Sequence, residues 1–310
     1  MKDHFSCCIN KIYGKIKMNE CYLCPRLCGA RRETGELGFC AQGAQMRVAR
    51  ASLHMFEEPP ISATRGSGTV FFAGCSLRCV FCQNRAISRA EEKNMGREVS
   101  IDELCDIFFS LKEQGAHNIN LVTPTHFADK IAIALERVKN KLSIPVIYNS
   151  SGYERVETLK MLDGLIDIYM PDFKYGSAEC AARYSSAPDY VEVATASVAE
   201  MFRQTGEPYF DSDGLLLRGT LVRHLVLPAH RKDSILALNT LAKAVPPNKI
   251  LLSVMSQYTP DFALDSPYEN LHRRLTSFEY NSVVDHASSL GFNGFAQSRS
   301  SASTSYTPDF

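Results

Sequence analysis

Residues 75–82 read Cys-Ser-Leu-Arg-Cys-Val-Phe-Cys, a C-x3-C-x2-C run set directly after the β-rich stretch 69–73. Three thiolates on one loop can ligate three irons of a cubane and leave the fourth iron without a protein ligand. As at catalytic zinc, a ligand count one short of saturation marks a reactive centre rather than a structural one. No His or fourth Cys follows at a spacing that would complete a zinc knuckle, and in α/β sheets the chemistry gathers at strand ends. Cys75, Cys79 and Cys82 are therefore the candidate metal and catalytic residues, and the chain must fold so that one strand end presents them together.

Composition narrows the setting. The 34 Lys+Arg balance 34 Asp+Glu, which excludes a basic nucleic-acid sleeve or an acidic tail as the main business of the chain. With 45% hydrophobic and 22% charged residues, the 310 residues suit one large α/β domain or two average ones. Eleven cysteines fall well under the roughly 8–10% of a disulfide scaffold, and seven of them lie in two tight groups, which speaks of metal ligation. No apolar run approaches the roughly 20 residues that span a bilayer, and the first twenty residues hold no continuous hydrophobic segment. The expectation is a cytoplasmic protein with neither membrane nor nucleic acid among its partners.

From residue 69 onward, β-rich runs alternate with helical patterns, the mark of repeated βα units around a parallel sheet. Strands are predicted at 69–73, 118–122, 144–149, 166–171, 220–227 and 250–255. Between the first two, Ser100 and Glu103 form a capping box ahead of Ile101, Leu104, Ile107, Phe108 and Leu111, and Gly115 ends that helix. Phe127, Ile131, Leu135 and Val138 predict the next helix, bounded by Pro145, and others are predicted at 156–162, 235–245 and 279–290. The fourth connection, of about fifty residues, is too long for one crossover and must hold an insertion with a turn at Asp211-Ser212-Asp213-Gly214. Six βα units are two short of a closed barrel, so the expected fold is α/β, an open partial (β/α)6 barrel with helices outside. It divides into a flexible head at 1–18, a cysteine-rich metal-binding segment at 19–64 and the barrel at 65–310, with a Ser-rich loop at 298–305. Cys7 and Cys8 read as unligated thiols, Cys105 and Cys180 as packed ones.

The cysteine spacing, with aromatic Phe81 just before the last cysteine, resembles the radical S-adenosylmethionine (SAM) superfamily. The resemblance implies that Cys75, Cys79 and Cys82 hold a [4Fe-4S] cluster whose unique iron chelates the amino and carboxylate groups of SAM. It also implies that Phe81 lies against the adenine, and that SAM is cleaved reductively to methionine and a 5′-deoxyadenosyl radical. More finely, residues 19–310 resemble pyruvate formate-lyase activating enzymes and their relatives. Gly66-Ser67-Gly68-Thr69-Val70-Phe71-Phe72-Ala73-Gly74-Cys75 carries that likeness, as do Cys82-Gln83-Asn84 and Ile87-Ser88. Met170-Pro171-Asp172-Phe173-Lys174 resembles the segment in which a lysine reaches SAM, so Lys174 would bond the carboxylate or ribose. Arg223, beside His224, enters a strand where relatives carry an arginine. Without the resemblance, Lys174 is a solvated lysine after a strand and Arg223 a salt-bridge partner.

Many activating enzymes have Gly-Gly-Glu after the second strand, where this chain has Val122-Thr123-Pro124-Thr125-His126. Backbone carbonyls around Thr123, freed by Pro124, and the Thr125 hydroxyl are acceptors for the methionine ammonium, while His126 either faces the substrate or packs at a helix start. Asn149, Ser150, Ser151 and Gly152 suit ribose hydroxyls, and such a turn also forms without a ligand. The implied activity is generation of a glycyl radical on a partner enzyme, with flavodoxin or ferredoxin as reductant. The alternatives are a small-molecule or other peptide substrate for the same chemistry, or an iron-sulfur electron carrier or metal-stabilised scaffold.

Upstream, Cys21-x2-Cys24-x3-Cys28-x11-Cys40 offers four soft ligands, a count that suits Zn²⁺ or a second iron-sulfur cluster. Glu57-Glu58-Pro59-Pro60 reads as a rigid linker with solvated carboxylates.

Overall fold

The computed structural model describes residues 20–92 and 95–297. The head expected at 1–18, with Cys7 and Cys8, and the Ser-rich stretch 298–305 lie outside the described residues. Ten strands build one open sheet: β1 (Met46–His54), β2 (Ser67–Phe72), β3 (Arg97–Val99), β4 (Ile119–Val122), β5 (Val146–Ser150), β6 (Ile168–Pro171), β7 (Tyr209–Phe210), β8 (Leu216–Leu225), β9 (Leu251–Met255) and β10 (Asn293–Ala296). The longer helices are α1 (Ile101–Glu113), α2 (Ala128–Leu142), α3 (Val156–Met161), α4 (Ala178–Ser185), α5 (Tyr190–Thr205), α6 (Arg231–Ala244) and α7 (Ser277–Ser289).

The strand order is β10-β9-β8-β6-β5-β4-β2-β1-β3, with short β7 antiparallel to β8. From β2 to β10 along that path every pairing is parallel, and it contains the six expected strands plus a seventh, β10. Antiparallel β1 and β3 extend the sheet beyond β2. Because β1 lies upstream of position 64 and hydrogen-bonds to β2, one sheet runs across the boundary drawn there from sequence.

Side chains alternate across the sheet with the period of a strand. Along β5, Val146 and Tyr148 join the layer under α1 and α2, whereas Ile147 turns to the interior. The α1 face anchored by Leu104, Phe108 and Leu111 follows from the capping box: Ser100 accepts from the Glu103 backbone N–H and the Glu103 side chain returns to the Ser100 N–H. Thr276 and Glu279 make a second such box at α7, so that helix starts earlier than 279.

The interior corrects one reading outright. Glu57-Glu58-Pro59-Pro60 is no solvated linker. Pro59 and Pro60 open a helical turn, where a missing N–H costs nothing, and Pro60, Ile61 and Ser62 are buried. Ile61 packs with Ile147, Ile168, Met170, Leu221 and Leu251 as an apolar plug, each side chain contributing about 1.5–3 kcal/mol by burial. Among the described residues no helix is long and apolar enough to cross a membrane.

Candidate active site

The loop that leaves β2 carries Cys75, Cys79 and Cys82. Cys75 Sγ accepts from the backbone N–H groups of Leu77 (3.3 Å) and Arg78 (3.4 Å), and Cys79 Sγ accepts from the Ser185 hydroxyl at 3.1 Å. Burial, then the neighbouring thiols Cys79 and Cys75, push Cys82 up to about 12; burial also raises Cys75. Such thiols stay protonated at neutral pH until a metal displaces the proton. Among the described residues no three His, Cys, Asp or Glu side chains are gathered to hold a single metal ion. A cubane makes no such demand, since each thiolate binds a different iron, so three soft ligands with donors aimed at sulfur fit a [4Fe-4S] cluster.

The loop reaches across the mouth of the barrel. Gln83 Nε2 donates to the Gln257 carbonyl (3.2 Å) beyond β9. Phe81, 6% exposed, meets the rings of Tyr175, Tyr184 and Tyr258 edge-on at 6.4, 6.4 and 6.3 Å, and this grip fixes its ring plane.

Below the loop stands a tier of charge. Lys174 Nζ pairs with Asp172 Oδ2, and Asp172 Oδ1 accepts from Arg223 Nε at 3.0 Å. Arg223 also donates from NH2 to Asn149 Oδ1 (2.6 Å), and its NH1 lies 3.5 Å from Glu57 Oε2. Glu57 Oε1 accepts from Asn120 Nδ2 at 2.9 Å, and Glu58 Oε1 accepts from the Ser253 hydroxyl at 2.7 Å. Burial alone would lower the Lys174 ammonium, but the Asp172 carboxylate outweighs it and holds Lys174 above its usual range. Asp172 is conversely held low by Lys174 and Arg223 against its own burial, while burial raises Glu58. Lys174, Asp172, Arg223 and Glu57 keep 10–16% of their side-chain surface accessible, so they face reachable space rather than sealed core.

The turn after β4 is occupied differently from its sequence reading. Thr125 Oγ1 donates to Glu154 Oε1 at 2.6 Å, so its hydroxyl is already engaged. Tyr148 OH donates to the other Glu154 oxygen at 2.9 Å, and burial lifts Glu154 to about 7. His126 is buried and bonds through Nε2 to the Ala73 carbonyl at 2.7 Å; burial drives it down to about 3, so it is a neutral brace at the entry to the cysteine loop. Thr123 is half-buried at the end of β4. Ser151 Oγ, at the end of β5, and Asn120 Oδ1 are buried with no protein partner among the described residues, acceptors that a ligand's hydroxyl or amine would satisfy.

Cys21, Cys24, Cys28 and Cys40 lie together outside the barrel: Cys24 and Cys40 are buried, Cys21 is half-buried and Cys28 is exposed. Burial lifts Cys24 to about 12, and the Gly29 N–H on the Cys21 carbonyl (3.1 Å), the Leu27 N–H on the Cys24 carbonyl (3.1 Å) and the Phe39 N–H on Cys28 Sγ (3.3 Å) fold the segment back on itself. Cys105 is buried, with its thiol 3.7 Å from the Ala134 carbonyl, and Cys180 is half-buried.

Asn120, Ser253 and Ser185 escaped the sequence reading, Asp172 entered it only as part of the 170–174 segment with no role of its own, and Glu57 and Glu58 entered it as solvated. Ser185 has no distinguishing pattern. Asn120 and Ser253 carry one, as polar residues inside otherwise apolar strands whose alternation points them inward.

An open α/β barrel whose first barrel strand ends in these three thiols defines a class, and a match to the Radical SAM superfamily covers residues 69–207. Those residues form a Radical SAM superfamily domain. It is 30% identical over 280 residues to uncharacterized protein MJ0674 of Methanocaldococcus jannaschii, covering 88% of this chain and 75% of the relative. In fold it is similar to a radical SAM methyltransferase from Sphaerobacter thermophilus (TM-score 0.51, 12% identity, 74% of this chain and 66% of that one). It is also similar to Streptococcus suis SuiB bound to S-adenosylmethionine (TM-score 0.50, 12% identity, 72% of this chain and 48% of that one). The chain thus spans just under two thirds and about half of those two structures, and the likeness is one of fold.

Proposed function

We propose that this radical SAM enzyme is an activase, which takes a hydrogen atom from a glycine Cα of a partner enzyme and leaves a glycyl radical there. The observation that supports this reading is the open flank of the sheet. β10 pairs with β9 and β3 with β1, and among the described residues no ring of strands closes around the charged tier. A polypeptide loop can enter such a flank.

Cys75, Cys79 and Cys82 would hold the [4Fe-4S] cluster, which when bound supplies the electron that splits SAM into methionine and a 5′-deoxyadenosyl radical. The chain's own residues orient and enclose. Phe81, fixed by three tyrosines, offers an apolar ring to the adenine. Asn149 and the Ser151 hydroxyl, which has no partner among the described residues, would serve the ribose, and carbonyls around Thr123 would receive the methionine ammonium. Thr125 acts at one remove, through its bond to Glu154. Lys174 and Arg223, braced by Asp172, hold positive charge for the carboxylate without rotamer freedom to lose. A flavodoxin- or ferredoxin-class protein delivers the electron in a reducing cytoplasm.

A second reading, a small polar molecule or another peptide as substrate, draws on the depth of the tier running from Lys174 to Glu57. One assay separates these. Anaerobically reconstituted protein, reduced with dithionite and given SAM, is expected to form 5′-deoxyadenosine; none from an intact cluster overturns both readings. A persistent glycyl doublet in the paramagnetic resonance spectrum on mixing with glycyl-radical enzymes decides for activation, and product without that doublet favours the second reading.

A further inference from the structure

The four-cysteine segment is seated on the radical loop itself. The Cys40 carbonyl oxygen lies 2.7 Å from where a Cβ on Gly74 would stand, and Gly74 directly precedes Cys75; only glycine leaves room for that approach. Arg26, between Cys24 and Cys28, donates from Nε to the Ser76 carbonyl (2.8 Å) inside the loop and from NH2 to the Ser185 carbonyl (2.8 Å). Ser185 in turn donates its hydroxyl to Cys79 Sγ at 3.1 Å. Arg78 NH1 returns the contact, donating to the Phe39 carbonyl next to Cys40 at 3.1 Å. Barrel residues Arg155 and Thr158 hold the far side through the carbonyls of Tyr22 (2.5 Å) and Leu23 (2.7 Å).

The seat is also built toward sulfur. The Phe39 N–H donates to Cys28 Sγ at 3.3 Å and Arg32 NH2 to Cys40 Sγ at 3.2 Å, while Arg32 NH1 is pinned to the His126 carbonyl at 2.6 Å. Hydrogen bonds and positive charge at sulfur tune the reduction potential of iron-sulfur clusters. Four thiolates saturate a cubane, and among the described residues no three are drawn around one point as tetrahedral zinc requires.

We propose that Cys21, Cys24, Cys28 and Cys40 hold a second, fully ligated iron-sulfur cluster that passes single electrons to the centre at Cys75, Cys79 and Cys82 across the Cys40–Gly74 and Arg26–Ser76 contacts. One electron from a flavodoxin- or ferredoxin-class donor reduces the second cluster by one unit; the same electron leaves for the radical centre and reoxidises it. No bond forms or breaks and no proton moves. The relay rests on the radical reading of the three-cysteine loop, whereas the identity of the metal does not.

The test uses the full chain, purified and reconstituted anaerobically with iron and sulfide. A Cys75→Ala/Cys79→Ala/Cys82→Ala variant is expected to keep about four irons and, after dithionite, a paramagnetic signal that SAM does not alter. Zinc without iron, or no metal in a variant whose circular dichroism matches the parent, overturns the proposal. The converse variant, Cys24→Ala/Cys28→Ala, should lose that share of the iron and keep the SAM-sensitive signal; an undiminished iron content overturns it independently. Arg32→Gln should keep all iron and shift the second potential to more negative values, and an unmoved potential removes Cys40 from the ligand set. Arg26→Ala should keep both iron complements and slow reduction of the radical centre by photoreduced flavin several-fold, with Arg26→Lys restoring part of the rate. An unchanged rate overturns the relay. Iron in the triple variant together with no 5′-deoxyadenosine from the parent defeats the radical reading and leaves the second cluster standing.

Discussion

The two cysteine groups touch, yet their surroundings differ in kind. Cys75, Cys79 and Cys82 lie at the mouth of the barrel, where Lys174 is near enough to feel the charge of Cys79 and the Asp172–Arg223–Glu57 tier continues inward. Among the described residues Cys21, Cys24, Cys28 and Cys40 face no such tier; their neighbours include Phe39, Arg32 and the backbone of the other loop. Three ligands beside a chamber of fixed charge suit a centre that must bind a cosubstrate, and four ligands beside backbone donors suit one that binds none. Thiol count alone gives part of that distinction. The environment gives the rest.

The comparison breaks first at the sulfur atoms. Cys79→Ala should abolish 5′-deoxyadenosine formation while the upstream group keeps its metal, read by product chromatography and metal analysis; loss of metal from both groups would make them one unit. Next comes the tier that only the first group possesses. Glu57→Ala strands Arg223 NH1 and Asn120 Nδ2, and should cost about 3–5 kcal/mol in urea denaturation, with Glu57→Gln costing less. Somewhat smaller is a pH effect. Glu154 is raised from 4.5 to about 7 by burial, so the folded state binds the extra proton between those values and stability falls as pH rises through them. The loss should approach about 3 kcal/mol and should vanish in Glu154→Gln. The smallest effect tests the hydroxyl that serves the first group: Ser185→Ala should cost about 1 kcal/mol and make the potential of the radical centre more negative, without touching the upstream metal content.

Much of the barrel is legible in the sequence because buried parallel strands such as 69–73 and 250–255 are short, largely apolar runs bounded by turns, and the Ser100–Glu103 box marks its helix unambiguously. β10 escapes because Asn293 and Gly294 look like loop; Gly294 is there since the Leu252 carbonyl fills the space of a side chain. β1 carried a readable alternation, with Met46 and Val48 buried and Arg47 and Ala49 less so, and was overshadowed by the cysteines before it. Glu57 and Glu58 were misread for a deeper reason. Nothing local separates a solvated Glu-Glu-Pro-Pro from one threaded into a barrel, because the groups that receive it, Asn120, Arg223 and Ser253, come from three distant strands. Spacing within one loop survives in sequence; convergence of several elements does not.

The plug at Ile61 and its two glutamates emerges from the ribosome before any parallel strand of the vessel it stoppers. Glu58 waits for Ser253, 195 positions later. A chain assembled in that order closes late and by long-range contacts, which slows folding. A fragment begun at residue 65 would keep every parallel stave of the cask and lose its bung, together with β1.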